Sequence, residues 1–243
     1  MPDKLPSEFT LSGLREGLSN VTVITGSGID VESGLPSFRG EKGYYVDKET
    51  VYLASVDALN SEPIRQWRWY LKRFVCYHAT TPSASHFYLA ELKAEIGEKF
   101  NGIVTQNISG LHRKAGSQKV FEIHGCIREM INLKTGERRP LPQSWIKSPP
   151  DDEELCGWRP HVCFIGESYD DYPLPESVSA CSSCDILLVI GTAGLIHTPV
   201  CLAEQARLSG AVVVNINPNP GELDNVSEFS FRGTSSDYFS YDI

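Results

Sequence analysis

The stretch "GSGIDVESGLPSFRG", residues 26–40, follows directly on the apolar run "VTVIT", residues 21–25. Glycines behind a buried strand let backbone N–H groups approach an anion closely. Arg39 adds a planar, permanently charged donor nearby. That chemistry suits a phosphate. The spacing is not that of the common dinucleotide loop, G-x-G-x-x-G. Gly26 and Gly28 supply the first two glycines, but the third position is Val31 and the next glycine is Gly34. A plain strand-to-loop turn with no ligand would show the same glycines. The other reactive side chains are seven cysteines at irregular spacing, with a single C-x-x-C at Cys181 and Cys184. An odd count without a framework points to reduced thiols and an expected cytoplasmic address.

Such a loop needs a sheet behind it. Further β-rich runs are "GIVTQN" (102–107), "VFEIHG" (120–125), "HVCFIG" (161–166), "DILLVIG" (185–191) and "AVVVNIN" (211–217). They are continuous rather than alternating, as expected for strands buried on both faces of a parallel sheet. Helical stretches lie between several of them. "SASHFYLAELKAEIGE" (83–98) places His86, Leu89, Leu92, Lys93 and Ile96 at steps of three and four. "PVCLAEQARLSG" (199–210) ends on a glycine suited to a helix C-terminus. Strands alternating with helices predict an α/β fold, a Rossmann-like doubly wound parallel sheet. Residues 41–80, aromatic, basic and helical, and 126–158, rich in proline and charge and loop-like, read as insertions. The expected division is a large nucleotide-binding domain of 1–40, 81–125 and 159–243, with a small domain of 41–80 and 126–158.

Bulk properties narrow the partners. The chain has 243 residues, 41% hydrophobic and 22% charged, with a net charge of −9. That acidity argues against a broad nucleic-acid face. No run reaches the roughly 20 apolar residues of a membrane helix, and the first residues lack a signal-peptide pattern. No nucleic-acid or membrane partner is expected.

The motifs together resemble those of the sirtuin (Sir2) family. "GSGIDVESGLPSFRGEKGYY" is similar to the sirtuin G-A-G-x-S-x-x-S-G-I-P-x-F-R with its following glycine and aromatic. "TQNISGLHRKAG" (105–116) resembles T-Q-N-I-D-x-L-H-x-x-A-G, and "FEIHG" (121–125) resembles E-L-H-G. "RPHVCFIGE" (159–167), "VIGTAG" (189–194), "VNIN" (214–217) and "RGTSS" (232–236) look like the later motifs, and all occur in family order. The resemblance implies an enzyme, an NAD-dependent protein-lysine deacylase. NAD is its co-substrate, and the products are free lysine, nicotinamide and O-acyl-ADP-ribose. It implies His124 as general base, a role that suits an imidazole at the end of a predicted strand. His86 and His112 match positions that are structural in the family. The implied NAD-binding residues are Gly26, Ser27, Gly28, Asp30, Ser37, Phe38, Arg39, Tyr45, Gln106, Asn107, Ile108, Ser109, Gly191, Thr192, Ala193, Asn215, Ile216, Asn217 and Ser235. An acyl-lysine protein or peptide is the implied partner. Val162, Cys163, Phe164, Gly166 and Glu167 would offer it a strand edge.

Acyl preference is implied by a second stretch. "LASVDAL" (53–59) looks like the sirtuin L-A-T-P-E-A-F, which places Ala54 in the acyl pocket. Tyr70 and Arg73 match the Y-x-x-R of desuccinylase-type (class III) sirtuins. A guanidinium and a phenol could hold the terminal carboxylate of a succinyl, malonyl or glutaryl group. An amphipathic helix face would carry the same two residues. Departures from the family are also clear. Its two C-x-x-C zinc pairs are missing: only Cys126 follows His124 closely, and Cys156 stands alone. No metal is therefore expected, and the small domain should be held by packing around Trp145 and Trp158. "NLKTGER" could form a turn between two short strands. Ser109, Ser37 and Ala193 replace the usual polar residues, and Asp30 places a negative charge near the loop that would repel phosphate if left unpaired. An ADP-ribosyltransferase, an NAD hydrolase or a non-catalytic NAD or ADP-ribose sensor on the same scaffold are the alternatives.

Overall fold

All five residues of strand β1 (Val21–Thr25) are buried, which requires cover on both sides of the sheet. In the computed structural model, which describes residues 5–38, 43 and 47–241, the cover is helical. Val21 and Val23 pack with Leu89, Leu92 and Ile96 of the helix Ala84–Ile96 on one face. Ile24 packs with Leu202, Ala203 and Ala206 of the helix His197–Leu208 on the other. The helix at 84–96 buries the expected stripe of His86, Leu89, Leu92 and Ile96, while Lys93 reaches out to donate to the Gly97 carbonyl at 2.8 Å.

The remaining strands are β2 (Phe100–Thr105), β3 (Val120–Glu122), β4 (Gly125–Asn132), β5 (Arg138–Pro140), β6 (Trp158–Val162), β7 (Ile186–Ile190), β8 (Val212–Ile216) and β9 (Phe229–Phe231). The main sheet is six-stranded in the order β3-β2-β1-β7-β8-β9, parallel throughout. The chain runs outward from β1 to β3, then returns to start again at β7. The order therefore reverses between β1 and β7, and open sheets of this kind form a ligand crevice at the carboxyl ends of those strands.

Two expectations are corrected. The run at 161–166 is not a strand of the parallel sheet. Its first two residues end β6, which pairs antiparallel with β4 in a second sheet of order β5-β4-β6. A continuous apolar run marks burial on both faces but does not say which sheet supplies the neighbours. Residues 126–158 are not mainly loop. β4 and β5 form an antiparallel pair joined across "NLKTGER", the turn that the alternative view anticipated. Asn132 shapes it by accepting from the amides of Lys134 and Thr135, each at 3.0 Å.

The second sheet packs on the long helix Pro63–Ala79 through Trp67, Tyr70, Leu71 and Phe74. Trp145 meets Trp67 edge-on at 6.2 Å, and the Trp67 indole donates to the Trp158 carbonyl at 2.6 Å. Both tryptophans named from the sequence thus serve this packing. No helix among the described residues is long and apolar enough to cross a membrane.

Candidate active site

Parallel strands in register end together, and this alignment builds the site. Thr25 lies opposite both Thr105 and Ile190, and Thr105 lies opposite Glu122. Gly26, Gln106, Gly191 and Ile123 consequently leave the sheet in one row, with His124 one residue further. A cleft of about 540 Å³ opens over this row. Its floor includes Gly26, Ser27, Gln106, Asn107, His124, Thr192 and Ala193. Phe38, Ala54, Tyr70, Arg73, Ile108, Val162, Cys163, Phe164, Gly166 and Glu167 also line it, so the structure brings these expected residues together.

Side chains tie the row. Asn107 Nδ2 donates to the Gly26 carbonyl at 2.9 Å, and Gln106 Nε2 donates to Thr192 Oγ1 at 3.1 Å. Asn217 Nδ2 donates to the Thr192 carbonyl at 2.8 Å. The glycines have a packing reason not foreseen from the sequence. The amides of Gly26 and Gly28 already donate to the carbonyls of Ile190 and Gly191, at 3.0 and 2.8 Å. A Cβ on Gly28 would sit 2.6 Å from Gly191 Cα. These two glycines let the loop lie flat on the end of β7, and the expected use of their N–H groups on an anion is corrected.

His124 is half-buried, in the turn between β3 and β4. Its Nδ1 lies 2.9 Å from the Gln106 carbonyl oxygen and its Nε2 lies 3.0 Å from the Tyr169 hydroxyl. A carbonyl can only accept, so Nδ1 carries the proton and Nε2 the lone pair in the neutral ring. Burial pushes its pKa below the ordinary histidine value, opposed by the Gln106 carbonyl. The imidazole is thus a neutral base near neutral pH.

Other expected residues lie elsewhere. Asp30 is buried and hydrogen-bonded to His86 Nε2 at 3.1 Å, so its carboxyl faces the helix and is not aimed at a phosphate. His86 in turn caps its own helix through Ser83, and its ring lies 4.8 Å from that of His112. Ser109 is buried, and its Oγ accepts from the Leu111 amide at 3.4 Å. Asn215 donates to Asp224 at 2.8 Å, within a cluster that also holds Ser230 and Arg232. Gly191 accepts from Gly28 behind the cleft, Ile216 is core, Ser235 opens a short helix and Ser37 is half-buried beside the glycine loop. Arg39 and Tyr45 lie outside the described residues.

The expected peptide-binding edge is also more occupied than foreseen. Ile165 donates to the Ala54 carbonyl at 2.8 Å and accepts from the Val56 amide at 3.1 Å. Glu167 holds Arg159 through two bonds of 2.5 and 2.8 Å and accepts from the Phe164 amide at 2.8 Å. The segment is a braced wall rather than an open strand. Cys126 is buried with its thiol pushed up to about 11, Cys156 is exposed, and Cys181 and Cys184 are buried in the core beside the main sheet. Sequence reasoning missed Val51, Ile165, Tyr169, Leu195 and Ile196 in the cleft lining. Ile165 lies within the quoted motif at 159–167 but was not singled out, and the other four belong to no quoted stretch credited with binding, so only the fold brings them there.

An open parallel sheet with its crevice at the strand switch defines a Rossmann-like α/β protein. Residues 26–198 match the profile of the Sir2 family. A Leptospira interrogans (serovar copenhageni) protein named NAD-dependent protein deacylase is 34% identical over 226 residues, 92% of this chain and 91% of that one. An Aeropyrum pernix protein of the same name is 34% identical over 209 residues, 86% and 84% of the two chains. The crystal structure of a Sir2 homologue in complex with NAD superimposes with a TM-score of 0.84 at 26% identity, covering 99% of this chain and 93% of that one. The chain belongs to the Sir2 family, the sirtuins.

Proposed function

We propose that the chain is an NAD-dependent protein-lysine deacylase that uses His124 as its base and prefers succinyl, malonyl or glutaryl lysine to acetyl-lysine. The observation that carries the activity is His124 itself, with Nε2 held as a lone-pair acceptor at the carboxyl end of a parallel sheet. The names of the relatives supply the reaction class. The donor set suits NAD: hydroxyls and amides of Ser27, Gln106, Asn107 and Thr192 stand beside apolar Phe38, Ile108 and Ile196. Ser27 and Thr192 would meet phosphate, with Gly26, Gly28 and Gly191 beside them. Gln106 and Asn107 would hold the ribose nearer His124, and Asn215, Asn217 and Ser235 would flank the adenosine end. Bound there, NAD supplies an electrophilic ribose carbon and a leaving nicotinamide. His124 takes a proton from a sugar hydroxyl at Nε2, a contribution of about 10²–10⁴-fold for a positioned base.

Tyr70 and Arg73 support the acyl preference. Both are buried, and they line the same cleft as Ala54. The Arg73 guanidinium lies 3.5 Å over the Trp69 ring, which holds its plane. Tyr70 lies against Phe164, ring centroids 5.5 Å apart. A short acidic acyl chain entering past Ala54 would meet a pre-oriented cation and a phenol.

The division into a large and a small domain is retained as part of this proposal, with β6 moved to the small one by its pairing. The small domain is held without zinc by the aromatic packing around Trp67 and Trp145. The test is incubation with NAD and matched acetyl- and succinyl-lysine peptides, read by mass spectrometry. Deacylated peptide with O-succinyl-ADP-ribose, formed faster than the acetyl product, is the expected result. Intact peptide with free ADP-ribose would move the assignment to an NAD hydrolase, and intact NAD would move it to a sensor.

A further inference from the structure

Tyr169 lies in the loop after β6, outside every motif matched above. Its hydroxyl is 3.0 Å from His124 Nε2, the one atom of that ring able to accept a proton. Because Nδ1–H is given to the Gln106 carbonyl, the neutral pair has only one arrangement, with the phenol O–H donating to Nε2. The tyrosine is itself held. Its carbonyl accepts from the Tyr172 amide at 3.0 Å, and the buried Tyr172 ring stacks on His161 at 5.2 Å. Cys163 is the other titratable group set against it, and burial pushes that thiol up to about 12, so it stays neutral.

We propose that Tyr169 is a positioning residue for His124. It holds the Nε2 lone pair aimed into the crevice and is exchanged for a nucleotide hydroxyl when one enters. Nε2 has one lone pair, and both donors cannot share it. Exchange of one neutral O–H donor for another keeps the imidazole satisfied at every stage, whereas a bare Nε2 in this half-buried site would be an unmet acceptor. The ring stays oriented throughout because the Gln106 bond is untouched. The proposal rests on the nucleotide-binding role assigned to the cleft.

The test needs no turnover. In 15N-histidine-labelled protein without nucleotide, Tyr169→Phe should move the Nε2 signal of His124 towards that of a free lone pair while the Nδ1–H tautomer persists. Calorimetry with ADP-ribose as probe should show Tyr169→Phe binding tighter by about 2–10-fold, because no protein hydrogen bond is given up on entry. Tyr169→Leu, which also lacks the hydroxyl, should shift both readings in the same direction, and it serves if the phenylalanine variant folds poorly. An unchanged Nε2 signal, or weaker ADP-ribose binding in a variant of unchanged melting temperature, would overturn the proposal. Wild-type protein that does not bind ADP-ribose, with the Nε2 signal still moved by Tyr169→Phe, would instead sink the nucleotide assignment and leave the histidine contact standing.

Discussion

Two residues carry the chemistry proposed here, and they depend on burial in different ways. Arg73 acts through a charge that the cleft wall keeps in place. Arg73→Met should lower kcat/KM for succinyl peptides by about 10–100-fold, the range expected for a charged hydrogen bond worth about 1.5–3 kcal/mol. Deacetylation should change little, and equal loss of both activities would refute the acyl role. His124 acts only when neutral. Burial lowers its pKa, so the acid limb of the kcat/KM profile should fall below the ordinary value of 6.5. His112, fully enclosed and next to His86, is lowered much further, by burial first and by the neighbouring imidazole second. Both folded pKa values lie below the unfolded one, so their stabilisation is fully present above about pH 6.5 and is lost as pH falls through the folded values. Denaturation midpoints measured from pH 7.5 to 5 should decline, and a flat profile would contradict this.

At the scale of elements, the site depends on how closely the glycine loop approaches the end of β7. Gly191 has φ +63, a left-handed conformation that costs other residues strain, and its carbonyl receives the Gly28 amide. Gly28→Ala would press a methyl onto backbone at 2.6 Å, with no flexible side chain to yield. It should cost about 2 kcal/mol and lower Tm by about 4–8 °C. NAD binding should weaken with it, since Gly26, Ser27 and Thr192 would separate; calorimetry and thermal unfolding check both. The glycine pair was visible as a motif, but its neighbour was not, because a strand's partner is set by sheet order rather than by local spacing.

Over the whole molecule, the small sheet and the long helix share one aromatic core that presents Tyr70 and Arg73 to the cleft. Trp145→Ala should cost about 3–5 kcal/mol. The loosening should show as faster amide exchange in β4, β5 and β6 than in the main sheet. Prolonged treatment with a strong chelator should leave Tm unchanged if packing alone holds this sheet. A fall of several degrees would show a metal contribution.

Local pattern was enough for the doubly wound class and for the glycine loop, while His124 was singled out by the resemblance to the family's motifs. Continuous apolar runs and short motifs are properties of neighbouring residues, and they survive in the sequence intact. The burial of Leu89 and Leu92 and the hairpin at "NLKTGER" were readable for the same reason. Contacts between distant residues were not. Tyr169 meets His124 across 45 residues, and Asp30 meets His86 across 56. β6 exchanged one sheet for another without any change in its own composition. Those outcomes depend on strand order and register, and nothing in a single segment encodes which segment will lie beside it once the core closes.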